Sequence, residues 1–543
     1  MSDLHRHSIN PVGADKADIE SIGSDVKAPE NVGTTVEAID ADDIARLAEH
    51  DHVRKNFKWW ELICCCFCMN NVPAVCSLLL YAAFTNGGIP ALLYGYILAY
   101  TGAFLTALAI AELASVIPTV GGVYHMAIWL APPRWKGLAG WCVGLINWVG
   151  WMFQVSSTCV LAAQGFVSFV QVFNNDYNPD KWVTYLINLG IYLPMLLVNI
   201  WGIKWFGRID TVVTVVQVFG IFAFLVAMLC KAHPLASAYS VFAEVRYSDP
   251  VNSLGNTMML GFLAPVTCAS GFDAAAHLAE EVKNPRKMVP RIMLLVVAMG
   301  GVCGIVVSLM LGFIASDITV ILESSNYYPV VTLVYETLHS KAGAAIYCFI
   351  ITLVAYNGTQ GSLLVASRQL MALSADGCFP RKWRLHEISP RFQLPIISLV
   401  VCCLLNMAAG ALYLSGSAGW NALNVACVAS FNLSYVIVVL LAVWRGRARL
   451  PADRAFKIPT SVGNFTDAAG ITYQLFSLVV LSFPSNLPFS LDVWNWGIVF
   501  ELGSILAIWL IFHAWGRKRY EEIDIDKLIA IADQRDAKEG TTH

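Results

Sequence analysis

Charged side chains are scarce in this sequence: Asp, Glu, Lys and Arg make up 13% of its 543 residues, against 57% hydrophobic. With a mean hydropathy of +0.60, that balance excludes an ordinary soluble domain and fits about a dozen membrane spans with polar tails. The formal net charge of −3 identifies no partner, and no nucleic acid is expected. Residues 1–50 have no long apolar run and are polar and acidic, so 1–55 is expected to be a disordered cytoplasmic tail rather than a cleavable leader. The first span then directs insertion. Fifteen cysteines are present, yet none falls in an outer loop, so external disulfides are not expected. The run Cys64-Cys65-Cys66-Phe67-Cys68 has no His partner and no two-pair spacing, which reads as helix packing rather than a metal centre. Neither a metal nor a cofactor is expected. Sequons at Asn357, Asn432 and Asn464 fall within spans or on the cytoplasmic side, which predicts an unglycosylated protein.

What is present is a series of apolar segments at 59–82, 89–111, 138–172, 183–201, 211–231, 255–278, 290–315, 343–372, 395–414, 418–443, 469–485 and 494–515. Each is near or above the ~20 residues that cross a bilayer. The expected fold is therefore an all-α membrane protein with twelve transmembrane helices over 56–515 and a cytoplasmic C-terminal tail over 516–543. Spans 3 and 8 exceed one bilayer thickness and need tilt or an extension beyond the membrane. Basic residues sort by side. Alternate loops hold Arg134 and Lys136, Lys204 and Arg208, Lys283 to Arg291, Arg368 to Arg391, and Arg445 to Lys457, while the intervening loops hold only Lys181, Lys231, Arg246 and Lys341. The first set is placed in the cytoplasm, together with both termini.

Two spans carry polar interruptions. Span 1 contains Asn70-Asn71-Val72-Pro73-Ala74, where Pro73 suits the first turn of a new helix and Asn70 or Asn71 can cap it. The outer half-helix would turn its positive end toward the midplane, as a substrate carboxylate requires. The alternative is a proline kink whose asparagines bond neighbouring helices. Span 6 contains Ala269-Ser270-Gly271-Phe272-Asp273, in which Gly271 permits unwinding and Ser270 or Asp273 can cap the inner half. Asp273 and His277 lie one turn apart, a pair able to take up a proton; the alternative for Asp273 is a structural cap. For His277, Glu280 and Glu281 the alternative is pairing with the basic loop Lys283 to Arg291. Interruptions at matching places in two halves point to a transport site.

Gly271-Phe272-Asp273 through His277-Leu278-Ala279-Glu280-Glu281, Asn284-Pro285 and Val289-Pro290-Arg291-Ile292 resemble the helix 6 signature of the amino acid-polyamine-organocation transporters, in the fungal amino acid, GABA and choline permease branch. Ala111-Glu112-Leu113-Ala114-Ser115 with Gly121-Gly122-Val123-Tyr124 resembles that family's loop after helix 2, and Ala366-Ser367-Arg368 with Ala375-Asp376-Gly377 is a third match. The resemblance covers roughly 52–515. It implies a five-plus-five inverted repeat with helices 1 and 6 broken at the substrate site and two extra C-terminal helices. It also implies gate roles for Glu112 and Tyr124, with Glu281 grouped beside them, and a proton as coupling ion. Helix 5 departs from some proton-coupled relatives: from Asp210 to Cys230 it has no buried Lys.

Span 3 adds Trp141, Trp148, Trp151 and Phe153 with Asn147 and Gln154. Trp141 and Trp148, seven apart, share a helix face and with Phe272 could form an aromatic wall for a cationic amine; the alternative is packing or lipid contact. Substrate contacts are thus expected at Asn70 to Ala74, Trp148, Trp151 and Ala269 to Phe272. The expected function is a proton symporter of a small amine-containing solute, an amino acid or GABA, in the plasma membrane. A choline or polyamine permease is the alternative, and a nutrient sensor without flux is an alternative of another class. No nucleophile and base arrangement stands out for an enzyme.

Overall fold

The computed structural model describes residues 57–247, 253–452, 454–484, 494–520, 524–527 and 529. The tail expected over 1–55 lies outside them. Among the described residues the only β-type pairing is the isolated bridge Ser389–Leu394, and the rest is helix and connection.

The chain runs through α1 (Trp59–Asn70), α2 (Val72–Leu78), α3 (Leu80–Thr85), α4 (Gly88–Ala114), α5 (Val123–Leu130), α6 (Lys136–Gln171), α7 (Lys181–Trp201), α8 (Ile203–Val215) and α9 (Ile221–Lys231). It continues through α10 (Leu254–Cys268), α11 (Ala274–His277), α12 (Pro285–Ile314), α13 (Pro329–Leu338), α14 (Lys341–Ala375), α15 (Ile396–Gly410), α16 (Ser417–Arg445), α17 (Thr460–Leu481) and α18 (Trp496–Ala514). Ten stretches of described helix are long and apolar enough to cross a membrane, and they coincide with ten of the twelve expected spans. The other two fall short for visible reasons. Span 6 is divided, leaving α10 with 15 residues. Span 11 is α17, which begins nine residues before the expected start and buries Asp467 and Gln474.

Backbone hydrogen bonds have no water partner in lipid, so each crossing segment satisfies its own by being helical. What brings the helices together is close packing of small residues. Gly300, Gly301 and Gly304 on α12 lie so near α4 that an added Cβ would stand 2.6–3.0 Å from Tyr96 or Tyr100. The most extensive contacts join α14 to α6, α12 to α4 and α16 to α6. The apolar windows of α7 and of α8–α9 are only 33% buried, and Leu193, Trp201, Val212 and Phe219 face outward, as side chains in contact with lipid would. After α18 the chain folds back: Tyr520 meets Trp141 edge-on at 5.8 Å, and Asp526 accepts the Trp129 indole N–H at 2.9 Å.

Candidate functional site

Asn71 interrupts the first span by itself, in left-handed conformation (φ 49°, ψ 28°), and α2 starts at the next residue with Pro73 in its first turn. Neither asparagine caps α2. Asn70 Nδ2 donates back to the Cys66 carbonyl at 3.1 Å, and the Asn71 amide, with its nitrogen facing the Cys68 and Val354 carbonyls, ties α1 to α14. The expected cap is thereby corrected: a side chain committed to the neighbouring helix is unavailable to α2. Val72 is buried against Gly300 and Gly304, and Ala74 is buried as well.

The second interruption is longer. Between α10 and α11, residues 269–273 are not helical, and Gly271 holds φ +76°, a backbone that side-chain-bearing residues adopt only with strain. The end of α10 is finished by α4, whose Tyr100 hydroxyl donates to the Cys268 carbonyl at 2.8 Å. Ser270 donates to Asn432 Oδ1 at 3.3 Å, and Asp273 stands at the start of α11 without a side-chain cap bond. The capping expected of Ser270 or Asp273 is therefore not made, because both side chains are used across helices.

Asp273 is fully buried and meets side chains from three elements. Tyr435 Oη donates to Oδ1 at 2.7 Å, Asn147 Nδ2 donates to Oδ2 at 2.9 Å, and His277 Nε2 lies 3.2 Å from Oδ2. His277 Nδ1 faces the Val120 carbonyl at 2.9 Å, and its Nε2 is also 3.1 Å from Asn147 Oδ1, which in turn accepts from Gln369 at 2.8 Å. Both ring nitrogens thus face acceptors. The Val120 contact belongs to the loop after α4, and Gly122 of that loop packs on the imidazole: an added Cβ would lie 3.0 Å from Cε1.

Aromatic rings close around the same segment, among them Trp151 and Phe272 but neither Trp141 nor Trp148. Trp151 meets Phe431 at 5.0 Å and His277 at 6.4 Å, while Phe272 packs on Tyr435 at 4.5 Å. A Cβ added at Gly271 would touch Trp151 and Phe431 at 3.6 and 3.7 Å. The Trp151 indole N–H is buried without a partner among the described residues. Trp141 instead packs on Phe512, Trp515 and Tyr520, and Trp148 packs on Phe379 and donates to the Ala366 carbonyl. The expected wall of Trp141, Trp148 and Phe272 is not formed. Three residues later on α6, Trp151 has the position that Trp148 was assigned. Phe431 and Tyr435 were missed, although their i, i+4 spacing in a span was a legible stripe.

The residues assigned to a gate are all engaged. Glu112 accepts from Arg447, from Arg454 Nε at 2.9 Å and from the Ile458 N–H at 3.0 Å, and Arg447 reaches Asp467 through two bonds of 2.7 and 2.8 Å. Tyr124 donates to Asp376 Oδ2 at 2.6 Å, beside His125 at 3.0 Å. Glu281 pairs with Arg368 at 2.8 Å, both buried. Arg368, counted among the loop cations, lies inside α14, so Glu281 has a partner on a neighbouring helix. A cleft of about 450 Å³ lined by Gln171, Asn175, Glu323, Tyr335 and Lys341 opens at the opposite end of the bundle, away from both interruptions. Among the described residues no cluster of His, Cys, Asp and Glu is arranged to hold a metal, and all fifteen cysteines are free.

The family model described as amino acid permease matches residues 57–508. A choline transporter of Saccharomyces cerevisiae is 24% identical over 474 residues, 87% of this chain and 84% of that protein. Amino-acid permease 2 of Neurospora crassa is 26% identical over 443 residues, 80% of each. A putative amino acid/polyamine transporter of Macrophomina phaseolina is 24% identical over 432 residues, 76% of this chain and 91% of that protein.

Proposed function

The chain belongs to the amino acid permease family, within the amino acid-polyamine-organocation superfamily, and from that premise we propose that it is a proton-coupled carrier of a small amine-containing solute, an amino acid or GABA. It is an integral membrane transporter and not an enzyme. The finer reading includes a twelve-helix five-plus-five repeat, a plasma-membrane location and cytoplasmic termini, the last supported by the sorting of Lys and Arg.

One observation supports the proton assignment: a buried Asp273–His277 pair, Oδ2 to Nε2 3.2 Å, sits beside the unwound segment. The loop around Val120 to Tyr124 rests on that pair, so its charge and the loop's position depend on each other. Substrate is assigned to the space bounded by the interruptions, with Gly271 and Ser270 offering backbone and hydroxyl, Trp151 its unpartnered N–H, and Phe431, Tyr435 and Phe272 aromatic surface for the amine. Val72, Ala74, Trp151 and Phe272 are 0–2% exposed, so entry requires helices to move apart.

The aromatic cluster also favours a second reading, a quaternary amine such as choline. Labelled uptake in transporter-deficient yeast, screened over amino acids, GABA, choline and polyamines, separates the two. For a zwitterion, methyl esters should compete at least about tenfold more weakly, the loss of one charge-assisted contact of ~1.5–3 kcal/mol. Strong choline competition, lost in Trp151→Ala, selects the second reading. Solute binding without uptake of any candidate sinks the carrier assignment in favour of a sensor.

A further inference from the structure

Helix 5 lacks the buried lysine used by some proton-coupled relatives, yet it does contain a buried acid. Asp210, on α8, is 1% exposed. Asn357 Nδ2 of α14 donates to its Oδ1 at 2.6 Å, and Oδ2 has no partner among the described residues. The titratable groups facing it from α1 are the thiols of Cys64, Cys65, Cys66 and Cys68, with Glu61 beside Gly207 one turn earlier. Its own helix contributes Thr211 and Thr214, and α14 contributes Asn357. No lysine, arginine or histidine is among them. Asp273, by contrast, has three partners. A carboxylate sealed from water with one amide donor, the weak S–H donor of Cys65 and no cation is a costly state, whereas a neutral carboxyl there is tolerated.

The same turn of α14 also grips the interruption of span 1. The Asn71 amide faces the Val354 carbonyl, and a Cβ added to Gly358 would lie 2.4 Å from the Asn71 amide and 2.5 Å from the Cys68 carbonyl. Cys68 Sγ reaches the Asp210 carbonyl at 3.7 Å and Thr214 Oγ1 at 3.2 Å. Withdrawal of α1 would therefore expose Asp210 to water and free the break together.

Building on the proton-coupled reading, we infer that Asp210 is a second protonation site, which keeps its proton while α1 is docked on α8 and α14 and releases it when α1 moves away. In the release step the carboxyl O–H bond breaks, its proton passes to entering water, and the carboxylate retains the Asn357 donor. Redocking of α1 requires the reverse.

The test begins with infrared spectra of the full-length protein in lipid vesicles from about pH 5 to 8. A protonated-carboxyl C=O band is expected that is lost in Asp210→Asn and displaced in Asp210→Glu; identical bands in all three overturn the assignment. Should Asp210→Asn not fold, the Glu variant gives the same reading. In uptake, Asp210→Asn should keep counterflow exchange within about threefold but lose the dependence of accumulation on pH; a wild-type pH profile in that variant overturns the link to transport. Accumulation by wild type that ignores the proton gradient defeats the coupled reading itself, and the infrared band then still decides whether Asp210 holds a proton.

Discussion

At Asn71 the chain leaves helical geometry for a single residue and resumes at once, while from Ala269 to Asp273 five residues stay out of the helix. The difference lies in what surrounds them. Asn71 is gripped by α14, with its amide against two carbonyls and Gly358 pressed onto it, so the polar side chain is consumed in packing. The 269–273 segment is bounded by Trp151, Phe431 and Tyr435 and leads directly into Asp273 and His277. Two interruptions that look alike in sequence thus differ in their surroundings: the first is held by a neighbouring helix, the second is lined by aromatic rings and leads into a buried acid and histidine.

The largest effect that could break this comparison is at Gly271. Gly271→Leu should reduce uptake to background at normal surface level, since it adds a side chain between Trp151 and Phe431 and a left-handed cost of ~1–2 kcal/mol. Ordinary affinity in that variant would remove the site from the second interruption. Next, Asp273→Asn should lose pH-dependent accumulation but keep counterflow exchange, because exchange needs no net proton movement. Loss of exchange too would make Asp273 a structural or substrate-binding group.

Asn71→Ala sharpens the contrast from the other side. It should lower the thermal stability of the purified protein by ~1–3 kcal/mol, the cost of leaving buried carbonyls unpaired, with little change in KM. A large KM change at unchanged stability would show that the first interruption binds substrate through its side chain. Trp151→Ala should weaken apparent affinity about tenfold or more, while Trp148→Ala, facing Phe379, should leave it within about threefold. The smallest effect is expected at Glu501. It is buried with one oxygen on Ser430 at 2.6 Å and the other unpartnered among the described residues, but it lies between α16 and α18 rather than at an interruption. Glu501→Gln should leave the pH profile of uptake unchanged, which separates burial of an acid from coupling.

Much of this was legible because lipid imposes strict rules. Without water, length and apolarity mark a crossing helix, so ten segments fell where the sequence put them. The Gly271 and Pro73 signals likewise report local backbone demands. The partners were less legible. Arg368 looked like a loop cation but pairs with Glu281 inside the bundle, and Glu112 looked like a span-end acid but is held by Arg447 and Arg454, more than 330 residues away.

The sequence by itself determined the membrane environment, the family, the positions of both interruptions and the Asp273–His277 spacing, since each follows from composition or from one helical turn. Tertiary structure decided which tryptophan faces the break, why Asn71 does not cap its helix, and that Asp210 meets Asn357. The reason is geometric. A helix presents a full circle of side chains, and periodicity groups them into faces without saying which neighbour each face will meet. That choice is made by close approach at residues such as Gly300, Gly304 and Gly358, whose missing side chains fix which helices touch and therefore which polar groups find one another.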